Sequence, residues 1–89
     1  MDRHPLEELL RGSRKTLRVL RVLLTAREPL TKYAIENRAA VYDAGPLLDR
    51  LTRIGVVKVV EGRPRRYAVD PSNPLVGAVE KLMRETGYL

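Results

Sequence analysis

The sequence predicts a small α+β domain: a three-helix core, a two-stranded hairpin and an additional C-terminal helix. Three observations carry this prediction. Apolar residues recur at three- and four-residue spacing in separate stretches up to Ile54. The period then changes in the short β-branched run Val56-Val57-Lys58-Val59-Val60, which Arg65-Arg66-Tyr67-Ala68-Val69 answers after Gly62-Arg63-Pro64. Helical spacing returns beyond the break Asp70-Pro71-Ser72-Asn73-Pro74.

A chain of 89 residues has room for one core, so residues 1–89 read as a single domain, with 13–69 as helical core and hairpin and 73–87 as the added helix. Pro5 to Leu10 opens as a helix, with proline where its missing N–H is harmless, and Gly12-Ser13 interrupts it. Ser13 is the expected N-cap of the next helix, whose Leu17, Val19, Leu20, Leu23 and Leu24 form one wide apolar face opposite Arg14, Arg18 and Arg21. Glu28-Pro29 ends it, and Leu30 supplies a one-residue strand. Thr31 caps a second short helix reaching Arg38, with Ala34 and Ile35 inward. The third helix is expected to start near Asp43 as its cap and to end at Gly55. Its expected buried stripe is Leu48, Leu51 and Ile54, leaving Tyr42, Asp43, Asp49, Arg50 and Arg53 outward. In the second hairpin strand Tyr67 and Val69 point in, and Arg66 and Ala68 out. The last helix, Pro74 to about Thr86, places Leu75, Val79, Leu82 and Met83 on one face.

Composition narrows the function. A net charge of +6 and a pI near 10.2 favour a polyanionic partner. The charge is densest over residues 56–69, and arginines outnumber lysines 13 to 4, which suits bidentate contact with phosphate and guanine edges. The absence of Gln and scarcity of Asn fit a thermophilic source. Without cysteine there is no disulfide framework, thiolate metal site or thiol nucleophile, and His4, the only histidine, has no sequence partner for a metal. No Ser/His/Asp set and no glycine-rich phosphate loop is present, so neither an enzyme nor a cofactor is expected. No apolar run is long enough for a membrane span, and Met1-Asp2-Arg3-His4-Pro5 lacks a signal peptide's apolar segment. The expectation is a cytoplasmic, nucleoid-associated protein with no membrane partner.

Leu30-Thr31-Lys32-Tyr33-Ala34-Ile35, followed by Leu48-Asp49-Arg50-Leu51-Thr52-Arg53-Ile54-Gly55-Val56-Val57, resembles the winged helix-turn-helix regulators of the ArsR and MarR type, particularly small archaeal ones. The stretch Tyr67-Ala68-Val69-Asp70-Pro71-Ser72-Asn73-Pro74-Leu75-Val76 is similar to their wing-exit segment. The resemblance implies sequence-selective or shape-selective binding of double-stranded DNA by a transcriptional regulator that occupies an operator. By position it sets Tyr42, Asp43, Gly45, Pro46, Asp49, Arg50 and Arg53 toward the major groove, and Lys58, Arg63, Arg65 and Arg66 on the wing.

Lys32, at the start of the second helix, is a candidate phosphate ligand, and Arg11, Arg14, Lys15, Arg18 and Arg21 form a second basic face. Gly62-Arg63-Pro64 is similar to the core of an AT-hook, which lies extended in the minor groove, although Glu61 stands where a basic residue normally precedes the glycine. The alternative is a hairpin turn whose arginines keep an exposed edge from pairing.

Leu6, Leu9 and Leu10 with Leu75, Val79, Leu82 and Met83 offer apolar surface for a homodimer, or else complete a monomer's core. A different class of reading is a winged-helix adaptor that docks protein through Tyr42 and Leu47. A centromere-like DNA-partition protein lies between the two.

Overall fold

The computed structural model describes residues 4–89, so the expectation placed on residues 1–3 lies outside the described residues. Five helices and a small antiparallel sheet follow in the order α1 (Pro5–Leu9), α2 (Arg14–Thr25), β1 (Leu30–Thr31), α3 (Lys32–Ala39), α4 (Gly45–Arg53), β2 (Val57–Val60), β3 (Arg66–Val69) and α5 (Pro74–Glu85). A single turn of 3₁₀-helix, Arg11–Ser13, joins α1 to α2. Ser13 holds the N-cap position of α2 but makes no side-chain capping bond, because the preceding turn already bends the chain into the helix.

Helix α2 is the spine. Leu17, Val19, Leu20 and Leu23 are buried in one apolar cluster with Ile35 and Ala39 of α3, Leu47, Leu48 and Leu51 of α4, Val56 and Val57, Tyr67 of β3 and Val76 and Met83 of α5. At about 1.5–3 kcal/mol per fully buried aliphatic side chain, that cluster is the main favourable contribution to folding. The sheet order is β1-β3-β2, with Leu30 opposite Tyr67 and Val59 opposite Tyr67 on the other side. Tyr67 therefore sits on the central strand and is buried, whereas Arg66 is exposed, as the alternation predicts. The strand expected at Leu30 alone thus holds two residues, Leu30 and Thr31, and pairs with β3 of the hairpin.

Two expectations about α4 need correction. Asp43 does not cap it: Ala44 occupies the N-cap position without a side-chain bond, and Asp43 has φ 49° in the left-handed region that Asp tolerates. Ile54 is 54% exposed rather than buried, since the chain has already left helical geometry there and Gly55, at φ 80°, turns it toward the sheet. The apolar stripe of α4 is instead Leu47, Leu48 and Leu51, so Leu47 is core and not a docking residue.

Asn73 caps helix α5: its side chain accepts from the Leu75 N–H at 2.9 Å and donates to the Ile54 carbonyl at 3.3 Å, tying α5 to the end of α4. Its inward residues are Val76 and Met83; Leu75 and Leu82 face outward and Val79 lies between. Of the seven residues expected at a dimer contact, Leu6 and Met83 are spent inside this chain's own core, while Leu9, Leu10, Leu75 and Leu82 remain exposed.

The two ends of the chain are clamped together. Glu7 of α1 is buried, accepts from the Tyr88 hydroxyl at 2.6 Å and receives Arg18 of α2 through Nε at 3.1 Å and Nη2 at 3.2 Å. The Arg21 guanidinium lies 4.2 Å from the centre of the Tyr88 ring, and His4 meets that ring edge-on. Burial alone would push the Glu7 carboxyl up; the hydrogen bonds from Arg18 and Tyr88 and the charges of Arg18 and Arg21 outweigh it and hold it below the ordinary glutamate range.

Candidate nucleic-acid interface

The corner between α3 and α4 is built from the residues expected to meet DNA, yet several are committed within the chain. Helix α3 begins where the Thr31 hydroxyl accepts from the Ala34 N–H at 3.1 Å, the predicted cap. It ends at Ala40 in the left-handed conformation, with Val41 N–H donating to the Glu36 carbonyl at 3.1 Å. Glu36 then replaces the missing cap of α4: its carboxylate accepts from the Ala44 N–H at 2.7 Å and pairs with Lys32 at 3.3 Å. The Ala44 N–H is the foremost reason that the Glu36 pKa is lowered, burial opposes it, and Lys32 adds to the lowering.

Lys32 also lies 3.9 Å from Asp43, and Lys15 of α2 donates to the Asp43 carbonyl at 2.8 Å. These lysines brace the corner between α3 and α4 and neutralise its acids. A Cβ at Gly45 would stand 3.3 Å from the Lys32 Cε, a tight contact with the end of a flexible side chain. Pro46 sits in the first turn of α4, where no N–H is needed.

From α4 outward, Tyr42, Asp43, Asp49, Arg50 and Arg53 are exposed as expected, with Tyr42 89% exposed. Arg50 and Arg53 also lie in the last turn, where a cation complements the helix dipole. Lys58, Arg63, Arg65 and Arg66 are all exposed on the hairpin. Among the described residues only Arg65 of these has a carboxylate within 4.0 Å, Glu61 at 3.3 Å, while Lys58 acts on Asp70 through charge alone.

The hairpin closes on residues 61–65 between the Val60–Arg66 pair, and residues 62–64 form a bend. An extended hook through Gly62-Arg63-Pro64 is therefore not the conformation this segment holds; the turn places its arginines at a tip. The second basic face is broken too. Arg18 is tied to Glu7 and Arg21 to the Tyr88 ring, because α1 and the C-terminus cover that side of α2.

Two concavities flank these elements. One, of about 530 Å³, runs between the first turn of α3 and the hairpin tip, and is bordered by Lys32, Tyr33, Glu36, Pro64, Arg65 and Tyr67 among others. The other, of about 180 Å³, has an almost wholly apolar lining that includes Leu20, Leu51, Ile54, Val69, Leu75 and Val79, where α5 crosses the end of α4. Sequence reasoning missed both the Glu7 clamp and the first groove, since each joins residues far apart in the chain.

Among the described residues no group of three or more His, Cys, Asp or Glu could hold a metal ion, and no helix is long and apolar enough to cross a membrane. The chain matches no model of a known protein family and no curated protein sequence.

Proposed function

We propose that this chain is a winged helix-turn-helix protein that binds double-stranded DNA and regulates transcription by occupying an operator. The observation that carries the reading is the wing: Lys58, Arg63, Arg65 and Arg66 project into solvent from one hairpin with a single carboxylate among them. Four exposed cations within nine residues suit the regular phosphate charge of a duplex, and the tip geometry suits backbone or minor-groove contact. The order of α2, β1, α3, α4 and a hairpin whose second strand is central supports the winged-helix assignment. With Gly45 and Pro46 at its start, α4 brings Arg50 and Arg53 as its main donors, so affinity rests on the wing more than on base reading in the major groove.

The second copy that an operator-binding protein of this size needs would pack on α5. Leu75 and Leu82 are exposed there beside the apolar concavity, and the pairs Glu80–Arg84 at 2.8 Å and Lys81–Glu85 at 3.9 Å leave this helix without net charge on an otherwise basic chain. Two copies therefore repel each other least along this face.

Titration of labelled duplex DNA at several salt concentrations tests the reading. A log-log slope of roughly −0.9 per neutralised phosphate is expected, with three or more contacts. No binding at low salt, or a slope near zero, rejects it.

A further inference from the structure

From the groove between α3 and the wing we infer a second mode of nucleic-acid contact, stacking of an unpaired base, which rests on the proposed DNA binding but can fail separately from it. The chain has four aromatic residues, all tyrosine, and its core uses only Tyr67 and Tyr88. The other two, Tyr33 and Tyr42, are 83% and 89% exposed. Tyr33 stands in the first turn of α3 and borders the 530 Å³ groove together with Pro64 and Arg65 of the wing. That volume falls within the roughly 300–1,000 Å³ common for small-ligand sites.

The chemistry of this groove selects its occupant. A phenol ring and a guanidinium are both planar stacking surfaces for a nucleobase, and a proline ring adds an apolar edge. Lys32 stands beside Tyr33, with its charge shared between Glu36 and Asp43, so it can meet a phosphate by exchanging a weak partner at 3.9 Å. Glu36 does not oppose an anion as a free charge, because its carboxylate is held by the Ala44 N–H and Lys32.

A paired base inside a duplex has both faces covered, so an exposed ring in a groove gains nothing from stacking against intact DNA. A base extruded from a bubble, or at a fork or single-stranded end, has a free face that fits. The ligand is therefore DNA carrying an unpaired nucleotide, with the adjoining duplex on the wing arginines.

The experiment compares the full-length chain on two duplexes of equal length and phosphate number, one fully paired and one with a three-nucleotide central bubble containing 2-aminopurine. The bubble should bind about tenfold tighter for one stacked base, with quenching of 2-aminopurine fluorescence. Tyr33→Ala should abolish both the tenfold gain and the quenching, and Tyr33→Phe should retain them. Neither change should shift the Kd for the paired duplex more than about twofold, because Tyr33 is exposed and its ring leaves the fold when removed without opening a cavity. Equal affinity for the two duplexes, or a Tyr33→Ala protein that still prefers the bubble, overturns the inference while leaving duplex binding in place. Binding of the bubble alone supports it and rejects the operator reading instead. Failure to bind either duplex rejects both.

Discussion

Removing the buried carboxylate of Glu7 tests how α1 and the C-terminus are held. Glu7→Ala leaves the Tyr88 hydroxyl without its 2.6 Å partner in a buried position, which costs about 1–3 kcal/mol. Arg18 loses its two bonds as well, but its side chain is 27% exposed and regains water, so that loss is held to roughly 1 kcal/mol or less. Together with the lost packing of the glutamate stem, the expected destabilisation is about 2–4 kcal/mol, or roughly 10–25 °C in Tm for a domain of this size.

Urea or thermal unfolding by circular dichroism measures it, at several protein concentrations so that any dimer is accounted for. Tyr88→Phe should cost less, near 1–2 kcal/mol, and the double variant should show coupling of about 1 kcal/mol because the two share one bond. The difference between the wild type and Glu7→Ala also has a pH signature. Since the folded state holds the carboxyl below its ordinary value, this stabilisation is fully present above about pH 4.3 and disappears as pH falls through the lowered folded value. A Glu7→Ala protein within about 0.5 kcal/mol of wild type, or a difference that grows on acidification, would refute the reasoning.

Three other outcomes are expected. Arg63→Ala should weaken duplex binding more than Arg50→Ala and lower the salt slope by about 0.9, as isothermal or anisotropy titrations would report; the reverse ranking would move the principal contact to α4. Leu82→Glu places a charge on the exposed face of α5 and should convert a dimer to a monomer in sedimentation equilibrium with little change in helicity, whereas a wild type already monomeric at working concentration removes the dimer from the proposal. Ala40→Gly should raise stability by about 0.5–1 kcal/mol in denaturant unfolding, because Ala40 sits at φ 54° and glycine adopts that conformation without a Cβ clash; a loss of stability would contradict it.

How much was legible follows from the range of each signal. Thr31 and Asn73 act through bonds to N–H groups three and two residues away, so their caps could be read from the chain itself. The alternation around Tyr67 and the helix stop at Gly55 are equally local. Asp43 misled for the opposite reason. It has the composition of a cap, but Glu36, eight residues before Ala44, reaches the Ala44 N–H first once α3 is folded, and Lys32 and Lys15 claim what Asp43 offers.

Ile54 and Met83 show the limit of periodicity. Each lies on an apolar stripe, yet Ile54 falls where the helix has already unwound and is exposed, whereas Met83 is fully buried within this chain's own core and is not left for a second copy. The basic residues of α2 looked alike in the sequence; only packing gave Arg18 a buried carboxylate and Arg21 an aromatic ring.

The sequence by itself determined the α+β class, the element order, the charge on the hairpin and most of the core, because periodicity, caps and turn residues act over a few positions. Tertiary structure alone decided which cations are free, which apolar residues remain outside and where a groove opens between α3 and the hairpin. Those outcomes depend on which distant side chains meet, as Glu7 meets Tyr88 across 81 positions, and no local pattern specifies such a pairing.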